Sequence, residues 1–300
     1  MSMPKGQKFE HAHLVVEDLE GTLAYYTDVI GLVELAREDG VVYLGCGLDT
    51  NYDFALSQGP CSVDHFAIRA EDGDEVDRYA RRLADAGVTV EPTDGSEPGQ
   101  VRGIRFQVPP NGQRMELVTV EDNRYLNAGM HAVPGRGRGI SPLDTCHINL
   151  VSMNMRESVE FLTGVLDFRL SEYADPERDG NWLTAFTRKG SWHHDVGFMR
   201  GDASIHHVAV AMASFEHIKT ACDLIAASGE RIELGPSRHP VAANLYVYAK
   251  LPGGHRFEFS AEMALLEPAT PTVVWEGFQN TLDVWGTLHE RIPPPFLVGS

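Results

Sequence analysis

KLPGGHRFEFS, residues 250–260, repeats the stretch VPPNGQRMELV at 108–118. Pro252, Gly254, Arg256 and Glu258 fall on Pro110, Gly112, Arg114 and Glu116, each 142 positions earlier. Working outward, IHHVAVAM (205–212) matches VDHFAIRA (63–70) at the same offset, which sets His207 on His65. DTCHINLVSMN (144–154) matches FEHAHLVVEDL (9–19) at an offset of 136, which sets His147 on His11. Helical segments follow both, VEFLTGVLDF (159–168) and LAYYTDVIGL (23–32). A repeat of this kind fixes the architecture, because each unit buries its apolar face against another. The chain therefore divides into two similar halves, expected at 1–133 and 134–300, joined through the Gly/Pro/Arg-rich stretch HAVPGRGRGISPLD (131–144).

Each half divides again. In the second, CHINLVSM is a strand, and RESVEFLTGVLD is a helix with apolar residues at helical spacing. WLTAFTRK and HHDVGFMR are strands. IHHVAVAM then restarts the cycle, FEHIKTACDLIAAS is a second helix, and ANLYVYAK and HRFEFSA close a hairpin around PGG. The unit is βαβββ, present about four times, and the fold class is α+β.

The net charge of −18 argues against a nucleic-acid partner or an anionic membrane, whose phosphates this surface repels. The apolar runs are too short to cross a bilayer, and MSMPKGQKFEHAH lacks the apolar core of a secretory signal. Cys46, Cys61, Cys146 and Cys222 show no CxxC spacing, so a cytoplasmic chain with reduced thiols is expected. Cys146 is read as a small core residue, pointing away from its neighbour His147.

The hairpin turn centres on Gly253, so Tyr248 and Glu258 face each other across it, with Tyr246 and Arg256 on the same face. A carboxylate beside a phenol on an inward sheet face is costly unless something neutralises it, and a metal ion does so. His147 and His207 lie in the strands that open the two later modules. Two imidazoles and one carboxylate are the ligand set of the facial triad, which suits Fe(II), with Mn(II) as substitute. Any chain with 13 histidines contains some such triple. The weight here comes from each ligand sitting at an equivalent place in a repeated unit.

HINL (147–150), HHDVGF (193–198), IHHVAV (205–210), GPSRH (235–239) and the run from Leu245 to Glu258 together resemble the type I extradiol dioxygenases of the vicinal oxygen chelate superfamily, catechol 2,3-dioxygenases in particular. The resemblance spans nearly the whole chain. It implies two tandem domains, each a pair of βαβββ modules curled into an incomplete barrel. It also implies meta cleavage of a catechol-type diol by Fe(II) and O₂ in aromatic-compound catabolism, by a homo-oligomer (dimer or tetramer). In the family the iron ligands stand where His147, His207 and Glu258 stand here. His194 matches the family's acid/base histidine, His239 the histidine supporting the substrate, and Tyr248 the strand tyrosine. His206 precedes a ligand and is expected to point the other way. Pro240 replaces the glycine usual after His239. Asn149 and Phe186 are expected to face the substrate, and Trp182 and Trp192 are further candidates for its walls. Arg238 is the nearest candidate for a substrate carboxylate.

In the first half His11, His65 and Glu116 stand at the triad positions. At the same offset, Phe106 falls where Tyr248 stands and Glu97 where His239 stands, so this half is read as supporting the fold without catalysis. Other readings are a hydroquinone-type dioxygenase using His11, a glyoxalase-like isomerase, and a non-enzymatic binding protein of the same fold. The tail from Glu267 to Ser300, with Trp275, Phe278, Trp285 and PPPFL (293–297), is expected to wrap a neighbouring surface.

Overall fold

The structure is a computed structural model that describes residues 8–121, 135–202, 204–277, 282–286, 296 and 299. Residues 131–134 of the expected linker, Phe278 and most of PPPFL therefore lie outside the described residues. The first module runs β1 (Phe9–Val16), α1 (Leu19–Tyr25), β2 (Val33–Glu38), β3 (Val41–Gly45) and β4 (Phe54–Gln58). The second runs β5 (Ser62–Arg69), α2 (Gly73–Asp85), β6 (Glu91–Thr93), β7 (Gln100–Val108) and β8 (Gln113–Val120). The third is β9 (Asp144–Val151), α3 (Met155–Val165), β10 (Arg169–Ala174), β11 (Thr184–Arg188) and β12 (Val196–Met199). The fourth is β13 (Ser204–Ala211), α4 (Phe215–Ala227), β14 (Ile232–Arg238), β15 (Leu245–Lys250) and β16 (Arg256–Ala261), after which the tail adds β17 (Val273–Trp275).

Two sheets result, in the orders β2-β3-β4-β1-β5-β8-β7-β6 and β14-β15-β16-β13-β9-β12-β11-β10-β17. In each, the opening strands of two modules pair antiparallel at the centre, and each opening strand pairs parallel with the last strand of its own module. This is the expected α+β plan of two tandem βαβββ pairs curled as half-barrels. Local chemistry supports it. Asp18, Asp72 and Ser214 cap α1, α2 and α4 by accepting from backbone N–H groups of the first turn.

The halves are not independent. One buried apolar cluster contains Phe54 from the first sheet and Phe257 from the second, with rings 5.4 Å apart, and Tyr26 meets Phe257 at 5.3 Å. Each half's closing hairpin docks on the other half. Asn111, in the β7–β8 turn, donates to Ser158 of α3 at 3.0 Å. In the β15–β16 turn, Gly253 has φ +93°, and a Cβ there would meet Thr22 of α1 at 2.9 Å. Glycine is required at this position for both conformation and room.

Candidate metal centre and cavity

The triad is set by three neighbouring strands. Ala209 on β13 pairs with His147 on β9 and with Glu258 on β16, and His207 stands two residues before it on the same face. A methyl at this central position leaves room for the three longer side chains around it. The donor atoms converge. Nε2 of His147 lies 3.1 Å from Nε2 of His207 and 3.2 Å from Oε2 of Glu258, and His207 to Glu258 is 3.0 Å. All three residues are buried.

These residues fit a divalent ion. Adjacent ligands about 2.1 Å from an octahedral cation stand ~3.0 Å apart, the size of this triangle. The charge balance agrees. Glu258 accepts from Asn244 Nδ2 at 2.8 Å and from the Tyr248 hydroxyl at 2.8 Å, and among the described residues no lysine or arginine pairs with it. Burial opposes its charge, but His147 outweighs that and holds the carboxyl well below its usual range. Burial depresses His207 to about 4, so its imidazole is neutral and its Nε2 can donate to a cation.

The flanking groups have fixed partners. His239 Nδ1 lies 2.6 Å from the Leu282 carbonyl, so it carries the proton and leaves Nε2 facing the Tyr248 hydroxyl at 3.0 Å. Tyr246 stacks on His239 with centroids 3.7 Å apart. Burial and then the Glu258 charge push the Tyr248 phenol well above its ordinary value. The His194 ring lies 4.1 Å from that of His147, and burial, then His147, hold it neutral. Its Nδ1 is 3.0 Å from His193 Nδ1, and His193 Nε2 in turn lies 3.2 Å from Glu172.

Two expectations change here. His206 does not point away. The β9–β13 ladder shifts register between Ile205 and His207, and this irregularity brings His206 to the cavity wall. His206 Nε2 lies 2.6 Å from the Phe296 carbonyl and its Nδ1 2.7 Å from His207 Nδ1. A carbonyl only accepts, so His206 Nε2 carries the proton, its Nδ1 accepts, and His207 Nδ1 donates. Among the two tryptophans, Trp182 stacks on Tyr173 at 4.2 Å and Trp192 joins the Cys146–Ala209–Ala211 cluster, so neither lines the cavity. Cys146 is buried as read but does not point away from His147: the ladder shifts register between Ala209 and Val210, opposite Cys146, and its Sγ lies 3.3 Å from His147 Nδ1.

A cavity opens beside the triad. Asn149, Phe186, His194, His239 and Tyr248 line it, as do Leu282 and Phe296 from the tail. Among the described residues the buried Asn149 Oδ1 has no hydrogen-bond partner, and a Cβ on Gly197 would meet its amide at 2.8 Å. No lysine or arginine lines the cavity among the described residues. Arg238 is tied to Glu262 and to the Ala243 carbonyl. Sequence reasoning turned His206 the wrong way and missed Ala209, Asn244 and Leu282, while Phe296 entered only within the tail expected to wrap a neighbouring surface. The His-x-Ala repeat at 65–67 and 207–209 was a usable signal for Ala209. Leu282 carried none.

The first half repeats the triangle with different company. His11 Nε2 and His65 Nε2 are 3.3 Å apart, His65 to Glu116 is 3.2 Å and His11 to Glu116 is 3.7 Å. The residue facing Glu116 is Arg105, not Phe106. Four residues separate the last pair of this hairpin and five that of β15–β16, so the match on the first strand shifts by one. Phe106 instead packs in the core.

The family model of the Glyoxalase/Bleomycin resistance protein/Dioxygenase superfamily matches residues 8–117 and 146–259, one stretch in each half. A manganese-dependent 2,3-dihydroxybiphenyl 1,2-dioxygenase of Geobacillus genomosp. 3 is 28% identical, over 90% of both chains. A metapyrocatechase of Pseudomonas sp. (strain CF600) is also 28% identical, over 83% of both. The crystal structure of the 2,3-dioxygenase LapB from Pseudomonas sp. KL28 superposes with a TM-score of 0.82 at 25% identity, covering 91% of this chain and 98% of that one. With the repeat, the paired half-barrels and a buried donor triangle already in place, a match over most of its length means that this chain belongs to the Glyoxalase/Bleomycin resistance protein/Dioxygenase superfamily.

Proposed function

We propose that the chain is an extradiol dioxygenase, opening the ring of a neutral catechol-type diol with O₂ at a divalent metal held by His147, His207 and Glu258. The observation that carries this is the triangle of donors beside a cavity that also holds a neutral imidazole and a phenol. Fe(II) is the preferred ion and Mn(II) the substitute, since N/O donors suit both. Held by these three residues, the metal would bind the diol and O₂ and supply the electron path between them. The protein's own groups do the rest. Tyr248 hydrogen-bonds a diol oxygen and relays that hydroxyl's proton to Nε2 of His239, taking it up as it passes its own on, while the Leu282 carbonyl keeps Nε2 free to accept. His194, neutral and across from Phe186, serves as the acid/base toward O₂ and the ring carbon. Phe186 stands 5.0 Å from His194 and walls a flat ring, and Asn149 offers its unpartnered oxygen to a hydroxyl.

The absence of a lysine or arginine on the described cavity wall favours diols without a carboxylate, because a buried unpaired charge is costly. The domains at 1–133 and 134–300 belong to this reading, with catalysis in the second only. So does a cytoplasmic homo-oligomer, for which edge strand β17 exposes Val273 and Val274. Among the described residues no helix is long and apolar enough to cross a membrane.

The test is anaerobic loading with Fe(II) or Mn(II), addition of catechol, then air. A yellow ring-opened product with one O₂ taken up per diol is expected, and neutral diols should exceed carboxylated ones by at least about tenfold in kcat/KM. A loaded protein that consumes a hemithioacetal without O₂, while ignoring every catechol, would overturn the proposal.

A further inference from the structure

We infer that the first half contains a second, latent divalent-metal site, formed by His11, His65, Glu116 and Glu97, and that Arg105 closes it by standing in for the ion's charge. The donor atoms of these four residues all lie within 4.8 Å of one another. His11, His65 and Glu116 are as buried as the triad of the second half, and their triangle has edges of 3.2, 3.3 and 3.7 Å. Small Ala67, two residues after His65, pairs with Glu116 across β5 and β8 as Ala209, two residues after His207, pairs with Glu258.

The sites differ beside the first histidine, where the Tyr52 hydroxyl lies 2.8 Å from His11 Nε2 and donates to Glu97 while His194 stands beside His147, and, decisively for charge, at one hairpin position. In the second half that position holds Tyr248, whose hydroxyl donates to Glu258 Oε2 at 2.8 Å, and His239 backs the tyrosine. In the first half it holds Arg105, whose Nε donates to Glu116 Oε2 at 2.9 Å, while its Nη2 donates to Glu97. The chain of contacts is the same: a loop residue, a hairpin residue, the carboxylate. A neutral hydroxyl leaves Glu258 in need of a cation. A guanidinium satisfies both Glu116 and Glu97 and repels any dication brought to the same donors. Two imidazoles and two carboxylates, once freed, suit a first-row ion such as Mn(II), Co(II) or Zn(II).

The experiment counts ions. Each protein is loaded with Co(II), desalted and assayed for metal per chain and for its visible absorption. Wild type should hold one ion and His147→Ala none. Arg105→Gln in the His147→Ala background should regain one, and adding His11→Ala should remove it. Loss of the guanidinium leaves buried Glu116 and half-buried Glu97 without a cation, although Thr93 still donates to Glu116 and Tyr52 and Gln100 to Glu97, so the apo form of this double variant should melt lower and recover on adding Co(II). If it does not fold without metal, it is refolded with Co(II) present, and adding Glu97→Gln lightens the unpaired charge. Wild type holding two ions overturns the inference, as does a folded Arg105→Gln/His147→Ala protein that binds none.

The wild-type, His147→Ala and Tyr248→Arg arms depend on the proposed function. Tyr248→Arg, with His147 intact, should expel the ion from the second half. If wild type holds no ion at all, the reading of the second half fails. A His11-dependent ion in the double variant would still uphold this one.

Discussion

At the scale of single residues, the site depends on tautomers set by neighbours. His206 is the clearest case, since it receives the His207 Nδ1–H and is itself fixed by the Phe296 carbonyl. Partners of this kind typically contribute ten- to a hundredfold to metal affinity. His206→Leu should therefore weaken metal binding by about that factor in a chelator competition, with the fold intact. An unchanged affinity would deny the relay. His194→Phe removes no donor, so it should keep the metal and abolish turnover, and loss of metal would reassign His194. Ala209→Leu should displace the donor triangle and lose the ion, because the added side chain fills the space between His147 and Glu258.

At the scale of elements, two features matter. The tail contributes carbonyls from Leu282 and Phe296 to His239 and His206. Ending the chain at residue 277 should lower both metal affinity and kcat/KM, by about tenfold or more, while the melting temperature moves little. A truncated protein with wild-type kinetics would make the tail a bystander. The β15–β16 hairpin carries Glu258 and Tyr248 to the site, and its turn presses on α1 of the other half at Gly253. Gly253→Ala has both a left-handed backbone and a 2.9 Å clash to absorb.

At the scale of the whole molecule, the shared core predicts one cooperative unfolding transition. Phe257 is fully buried and touches rings of the first half. Phe257→Ala should cost about 3–5 kcal/mol. Urea unfolding monitored from each half would show it, and two separate wild-type transitions would refute the shared core. A second whole-molecule property is pH response. Asp53 takes the Thr145 N–H of the second half at 3.3 Å, with Asp49 and Asp144 beside it. Burial, then Asp53, pushes Asp49 to about 7, and burial, then Asp53 and Asp49, pushes Asp144 well above its usual range. The folded state holds protons here that the unfolded chain releases near pH ~4. Their stabilisation is complete below that value and fades as pH rises through about 7. The slope is at most about 1.4 kcal/mol per pH unit for each proton released. Asp144→Asn keeps a donor toward Asp53 and should flatten the dependence of the urea midpoint between about pH 5 and pH 8.

The sequence by itself determined the four modules, the triad, and the Tyr248–Glu258 pair, because a repeat and a two-residue period in paired strands are local properties. The same reasoning failed where the period was interrupted. A ladder irregularity turned His206 inward, and one residue of turn length put Arg105 rather than Phe106 opposite Glu116. Only the tertiary structure decided the tail's carbonyls, the docking of each hairpin on the other half and a cavity wall without a cation among the described residues. These depend on contacts between residues more than forty positions apart, and no local pattern encodes such contacts.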